Sequence, residues 1–239
     1  MLKVQGLIKK FNDKTAVDGV SFEIAAGEIF SLIGPNSSGK TTIIKSIIGM
    51  LAIDEGSISV DSIDVAHDPM KTKQLTGYIP DEPTVWSGMT GEEFLHMVGA
   101  LYNVDPKKRE KRISELLPLF SLEGIEKDEF EHYSRGNKQK FSILAALLHH
   151  PKLLLVDEPI VGLDPDSATI AKRLFKEFAA EGGSVLLVTH TLPVADEIST
   201  RIGILTKGKL VASGAPSLLR KIAKLDASAS LEAVYQALT

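Results

Sequence analysis

Residues 34–41, Gly-Pro-Asn-Ser-Ser-Gly-Lys-Thr, match the pattern G-x-x-x-x-G-K-[ST] without a gap. No other stretch dictates as much about what must surround it. Glycines and small serines let the backbone turn several N–H groups inward as a nest for phosphate oxygens. Lys40 brings a point charge to the β- and γ-phosphates of a nucleotide, and the Thr41 hydroxyl suits Mg²⁺. Such a nest needs a buried strand before it and a helix after it, whose dipole adds positive potential. Both are present. Glu28-Ile29-Phe30-Ser31-Leu32-Ile33 is largely apolar, while Ile43, Ile44, Ile47, Ile48 and Leu51 recur at helical spacing, with Gly49 as a stop.

The flanking chain reads as an α/β protein. Residues 2–8 and 17–24 form two short strands, and Val20, Phe22 and Ile24 alternate with polar neighbours. Phe11 lies between them, either as a core or edge aromatic or as a platform for a planar base. Gly56–Asp61 alternates like an antiparallel strand, and Leu75–Ile79 is another strand, leading into the turn-rich Pro80-Asp81-Glu82-Pro83. From about 84 to 150 the texture is helical. Thr90-Gly91-Glu92-Glu93 is a capping box with Phe94, Val98, Leu101 and Tyr102 as its apolar face. Asp105-Pro106 opens a second helix whose basic run, Lys107 to Arg112, reads as a solvated face, and a third helix spans 137–149.

Beyond this insert, Leu153–Val156 is a buried apolar run ending in Asp157-Glu158-Pro159. Asp164-Pro165 caps a helix with Ile170, Leu174 and Phe178 on one face, and Ser184–Thr189 is a buried strand ending at His190. Residues 201–206 and 209–213 flank a Lys207-Gly208 hairpin, and 216–224 and 230–238 are two short helices. Alternating strands and helices predict a mainly parallel sheet with an antiparallel β portion and ligands at the carboxyl ends of the strands. The expected organisation is one domain over 1–215, carrying the helical insert, and a short tail over 216–239.

Composition narrows the functional classes. The 239 residues carry a net charge of −4, which argues against a protein that coats nucleic acid. There is no cysteine, hence no disulfide, thiolate metal site or cysteine nucleophile. No apolar run approaches the roughly 18 residues that span a bilayer, and the first ten residues are too interrupted for a signal peptide.

Asp157-Glu158 is the second chemical signal. Mg²⁺ prefers hard oxygen ligands, so Asp157 suits the ion and Glu158 an attacking water. Asp81-Glu82-Pro83 repeats the tripeptide but follows a poorer strand, which leaves Asp81 as an outer metal contact. His190 ends a buried strand on the same side, in reach of a γ-phosphate. Tyr133-Ser134-Arg135-Gly136-Asn137 leads into a helix, a weak signal in itself.

Taken together, these segments resemble the ATP-binding subunit of an ABC (ATP-binding cassette) transporter over nearly the whole chain, in order and spacing. The resemblance implies ATP and Mg²⁺ as ligands. Phe11 matches the adenine-stacking aromatic, and Asn36, Ser37, Ser38, Gly39, Lys40, Thr41 and Thr42 match the phosphate loop. Glu158 matches the catalytic glutamate and His190 the switch histidine, with Thr41, Asp157 and Asp81 toward the metal. It implies a head-to-tail dimer with a second ATP-binding subunit, in which Ser134, Arg135, Gly136 and Asp164 serve the partner's nucleotide. Integral membrane permease subunits are implied at Glu82, Pro83, Thr84, Val85 and Trp86, which sets the protein on the cytoplasmic face of the membrane. The tail resembles that of subunits encoded apart from their permease.

Three departures stand out. Asp81 replaces the usual glutamine, and Ser37 occupies a position where glycine is commonest. Tyr133, Arg135 and Asn137 replace leucine, glycine and glutamine in the signature. An exporter-like branch shares the acidic residue at 81, the tyrosine and the basic run after it, so export is the expected direction. A soluble ATP-gated clamp or regulator is the alternative, although long coiled coils or a second cassette are missing here. A small-molecule kinase fits less well, given the signature segment and the Asp157-Glu158 pair.

Overall fold

A computed structural model describes residues 1–239. The chain opens with β1 (Leu2–Phe11), β2 (Lys14–Ile24), β3 (Ile29–Ile33), α1 (Lys40–Ile47), β4 (Glu55–Val60), β5 (Ile63–Asp64), α2 (Pro69–Gln74) and β6 (Thr76–Ile79). The insert follows as α3 (Gly91–Leu101), α4 (Pro106–Leu116) and α5 (Arg135–Leu147). The chain then continues through β7 (Leu153–Asp157), α6 (Pro165–Ala180), β8 (Ser184–Thr189), α7 (Leu192–Ile198), β9 (Arg201–Thr206) and β10 (Lys209–Gly214). Helices α8 (Pro216–Ile222) and α9 (Leu231–Leu238) close it.

Two sheets form. One is antiparallel in the order β2-β1-β4-β5; the other has six strands in the order β10-β9-β3-β8-β7-β6. In the second, β9, β3, β8, β7 and β6 run parallel, and only β10 is antiparallel to its neighbour. Every residue of β3, β7 and β8 is buried, as expected for strands covered on both faces. The antiparallel sheet packs on the parallel one through rings such as Phe22 and Phe30, stacked at 5.1 Å between centroids. Burying an aromatic side chain of this kind stabilises by about 2–3 kcal/mol.

Several boundaries differ from the sequence pattern. Strands β1 and β2 extend beyond 2–8 and 17–24, because their exposed polar ends pair across a hairpin, with Phe11 opposite Lys14. Its turn residue Asn12 takes φ 50°, which asparagine tolerates. Helix α5 starts at Arg135 rather than 137, since the Ser134 hydroxyl accepts the Asn137 N–H as an N-cap. The capping box of α3 forms, but Leu101 at its far end is 71% exposed and not part of the buried face. On α6 the fully buried positions are Ala171 and Phe175, with Ile170 and Phe178 only partly covered.

Phe94, Tyr133 and Phe141 pack around Phe130 in the insert with centroids 5.1–5.5 Å apart, all near edge-on to it. The tail docks too. Leu219, Leu231 and Val234 cover Ile33, Ala195, Ile202 and Ile204, and Arg220 donates to Asp196 at 2.6 Å. No helix is long and apolar enough to cross a membrane. Register decides where the site falls. Ile33 lies beside Thr189 and Asp157 beside Val188, so β3, β7 and β8 end together at one edge of the sheet.

Candidate functional site

A cavity of about 820 Å³ opens at that edge. One wall is the phosphate loop. Its backbone is set by two residues with positive φ, Ser37 at 65° and Gly39 at 109°. A Cβ at Gly39 would lie 2.5 Å from the Ala16 carbonyl, so the loop and the β2 strand approach too closely for any side chain. Serine at 37 therefore adopts the left-handed conformation that glycine would take at less cost. Lys40 is buried and donates to the carbonyls of Gly34 (2.7 Å) and Pro35 (3.0 Å). Burial lowers its pKa, against the raising influence of Glu158 and Asp157.

The opposite wall is acidic. Asp157 is only 4% exposed, and its carboxyl is pushed up to about 6. Burial is the main cause, followed by the charges of Glu158 and Asp81, with Lys40 and a hydrogen bond from Thr41 acting the other way. Glu158 leaves β7 in the left-handed region, φ 48°, a backbone strain found at sites where side-chain placement outweighs comfort. That turn carries its carboxylate across to the end of β8. There Oε2 accepts from Thr189 Oγ1 at 2.9 Å, and Oε1 accepts from the His190 N–H at 2.7 Å, with the ring Nδ1 of His190 at 2.6 Å.

Of the residues singled out in the sequence, Phe11, Asn36, Ser37, Gly39, Lys40, Thr41, Thr42, Asp81, Arg135, Asp157, Glu158 and His190 share the cavity. Phe11 is 45% exposed there, which excludes a core role. Ser38 is different: its hydroxyl is buried with no hydrogen-bond partner, away from the cavity wall. Ser134 and Asp164 cap helices instead, and Lys140 ties Asp164 to α5 at 3.3 Å. A Cβ on Gly136 would lie 2.8 Å from the Gly162 carbonyl, so the signature turn and the loop before α6 are in close contact. Glu82 to Trp86 lie outside the cavity, with Trp86 58% exposed.

Asp81 and Arg135 face each other. The Arg135 Nη2 donates to the Asp81 Oδ1 at 3.2 Å and to its carbonyl oxygen at 3.3 Å. Two of the residues that depart from the family pattern are thus one ion pair within a single chain. Sequence reasoning assigned no site role to Thr189, or to Lys14, Thr15, Ala16 and Lys207 on the cavity wall. Those four come from hairpin ends brought together by the two sheets, and no motif marks them. Thr189 was visible only as the last residue of a buried strand.

The residues present suit a magnesium nucleotide. No three acids or histidines converge as an all-protein metal cage. Mg²⁺ does not need one, since phosphates and water complete its shell. A buried Asp157 crowded by two other carboxylates, with Thr41 beside it on the cavity wall, is a place where a hard cation relieves repulsion.

A phosphate nest on α1, an acid pair ending β7 and an inserted helical body define a P-loop nucleotide-binding cassette. Residues 17–161 match the ABC transporter family, and the chain belongs to it as an ATP-binding subunit. It is similar to the linearmycin resistance ATP-binding protein LnrL of Bacillus subtilis, 35% identical over 214 residues, 90% of this chain and 69% of that one. The Nod factor export ATP-binding protein I of Rhizobium meliloti is 32% identical over 218 residues, 91% of this chain and 65% of its own length. Among solved structures, an ATP-binding subunit of an ABC transporter superposes with a TM-score of 0.95 at 33% identity, over 100% of this chain and 99% of that one. A dimeric ATP-binding cassette in a post-hydrolysis state with ADP and Pi gives 0.82 at 25% identity, over 90% and 98%.

Proposed function

We propose that this chain binds ATP with Mg²⁺, hydrolyses it as one half of a cassette dimer, and drives export through separate integral membrane permease subunits on the cytoplasmic face of the membrane. The observation that carries the reading is the placement of Glu158, a carboxylate in the nucleotide cavity with Lys40 and His190. Residues 36–42 cradle the phosphates, and Lys40 turns from the Gly34 and Pro35 carbonyls toward them. Phe11 offers its exposed ring to the base. Thr41 and Asp157, with Asp81 once it parts from Arg135, are the residues to hold Mg²⁺, which when bound neutralises phosphate charge. Glu158 accepts the proton of the attacking water, and His190 donates to the γ-phosphate.

Ser134, Arg135, Gly136 and Asp164 face the nucleotide of the second ATP-binding subunit in this reading. Glu82, Pro83, Thr84, Val85 and Trp86 meet the permease. The direction of transport rests on the export and resistance proteins that the chain resembles.

The test is Glu158→Gln, which keeps shape and removes the base. Steady-state turnover should fall at least about a hundredfold, in line with the loss of a general base, while ATP affinity stays within about twofold. Full turnover in that variant would remove Glu158 from the role.

A further inference from the structure

We infer that Thr189 is a positioning residue for hydrolysis, the fixed donor that aims the Glu158 carboxylate. This assignment rests on the hydrolytic role proposed for Glu158. Thr189 is the one polar side chain at the inner end of β8 whose partners are both determined. It is 2% exposed, in a strand otherwise built of Ser184, Val185, Leu186, Leu187 and Val188, where valine would satisfy the packing. A buried hydroxyl in such a place must be fully bonded or it destabilises the fold.

It is fully bonded. Thr189 Oγ1 accepts the Thr191 N–H at 2.9 Å, which orients its own proton toward Glu158 Oε2, 2.9 Å away. No other group donates to Oε2. The other oxygen, Oε1, is held by the His190 N–H and faces the His190 ring. That ring is solvent-accessible, with its side chain 57% exposed. When the ring swings out to a γ-phosphate, a lone pair of Oε1 opens toward the cavity. Oε2 stays pinned. Thr189 therefore decides which oxygen meets the water and at what angle, and it does so without touching nucleotide.

The experiment compares Thr189→Val, Thr189→Ala and Thr189→Ser in the full chain, with Glu158→Gln as a parallel control. The readouts are kcat, KM for ATP, affinity for a fluorescent ATP analogue, and Tm. Loss of a hydrogen bond to a charged group predicts a fall in kcat of about tenfold or more for valine and alanine. KM and analogue affinity should stay within about twofold, and serine should keep kcat within about threefold. If valine does not fold, the alanine and serine pair gives the same comparison without a methyl beside the carboxylate. Wild-type kcat in the alanine or valine variant overturns the assignment. So does serine as impaired as alanine, or a rise in KM with kcat unchanged. Turnover intact in Glu158→Gln would instead bring down the hydrolytic role of Glu158.

Discussion

Asp81 and Arg135 show how far a single contact can be taken. Both side chains are about half exposed, 53% and 52%, so water screens the pair. Pairs of this kind stabilise by less than about 1 kcal/mol. In a double-mutant cycle with Asp81→Asn and Arg135→Gln, unfolding free energies should show a coupling below about 1 kcal/mol that shrinks in high salt. A larger, salt-insensitive coupling would mean that the pair is buried in solution. The pair matters for reach rather than stability: while it holds, Asp81 Oδ1 and Arg135 Nη2 are turned toward each other. The two positions are 54 residues apart in sequence, and no local pattern links them.

At the scale of elements, the joint between α3 and the end of α5 carries a titratable group. His149 stacks on Tyr102 with ring centroids 3.7 Å apart, and neither ring nitrogen makes a well-formed hydrogen bond. Burial pushes its pKa down from 6.5 to about 4. Between those values the unfolded chain takes up a proton that the folded one refuses, so stability falls as pH drops through that window. The loss is on the order of 3 kcal/mol, seen as a decline in denaturation midpoint from pH 7 to pH 4. His149→Phe keeps the stack and should flatten that decline; an unchanged slope would assign it to other groups.

Elements also mark where sequence patterns run out. Strands β3, β7 and β8 were legible because burial on both faces writes continuous apolar runs. Helix α2 carries Lys71 and Lys73, and Thr72 is its only buried side chain, so it lacks a readable apolar period despite Asp68 and Pro69 at its start. Helix α7 has a proline in its first turn but no capping side chain. The phosphate loop and the Asp157-Glu158 pair were legible since their chemistry is local. Lys14, Thr15, Ala16 and Lys207 were not, because what places them is the hairpin geometry of two sheets.

For the whole molecule, the exposed apolar residues bear on how the cassette meets a permease. Trp86 is 58% exposed and Leu101 71%, the one just after β6 and the other closing α3, outside the nucleotide cavity. A photo-crosslinking residue at position 86, activated in the native cell, should capture a multi-span membrane protein. Capture of soluble partners alone, with the chain missing from membranes, would favour an ATP-gated clamp.

The abrupt end of β8 has a mechanical consequence. Both faces of β8 are covered, and the chain leaves the sheet immediately after Thr189. Thr189 is buried while the next residue, His190, is exposed, yet both bond to one carboxylate. A single peptide unit therefore separates stator from lever. No hinge loop is needed between them, and the lever's travel is limited to the rotamers of one imidazole.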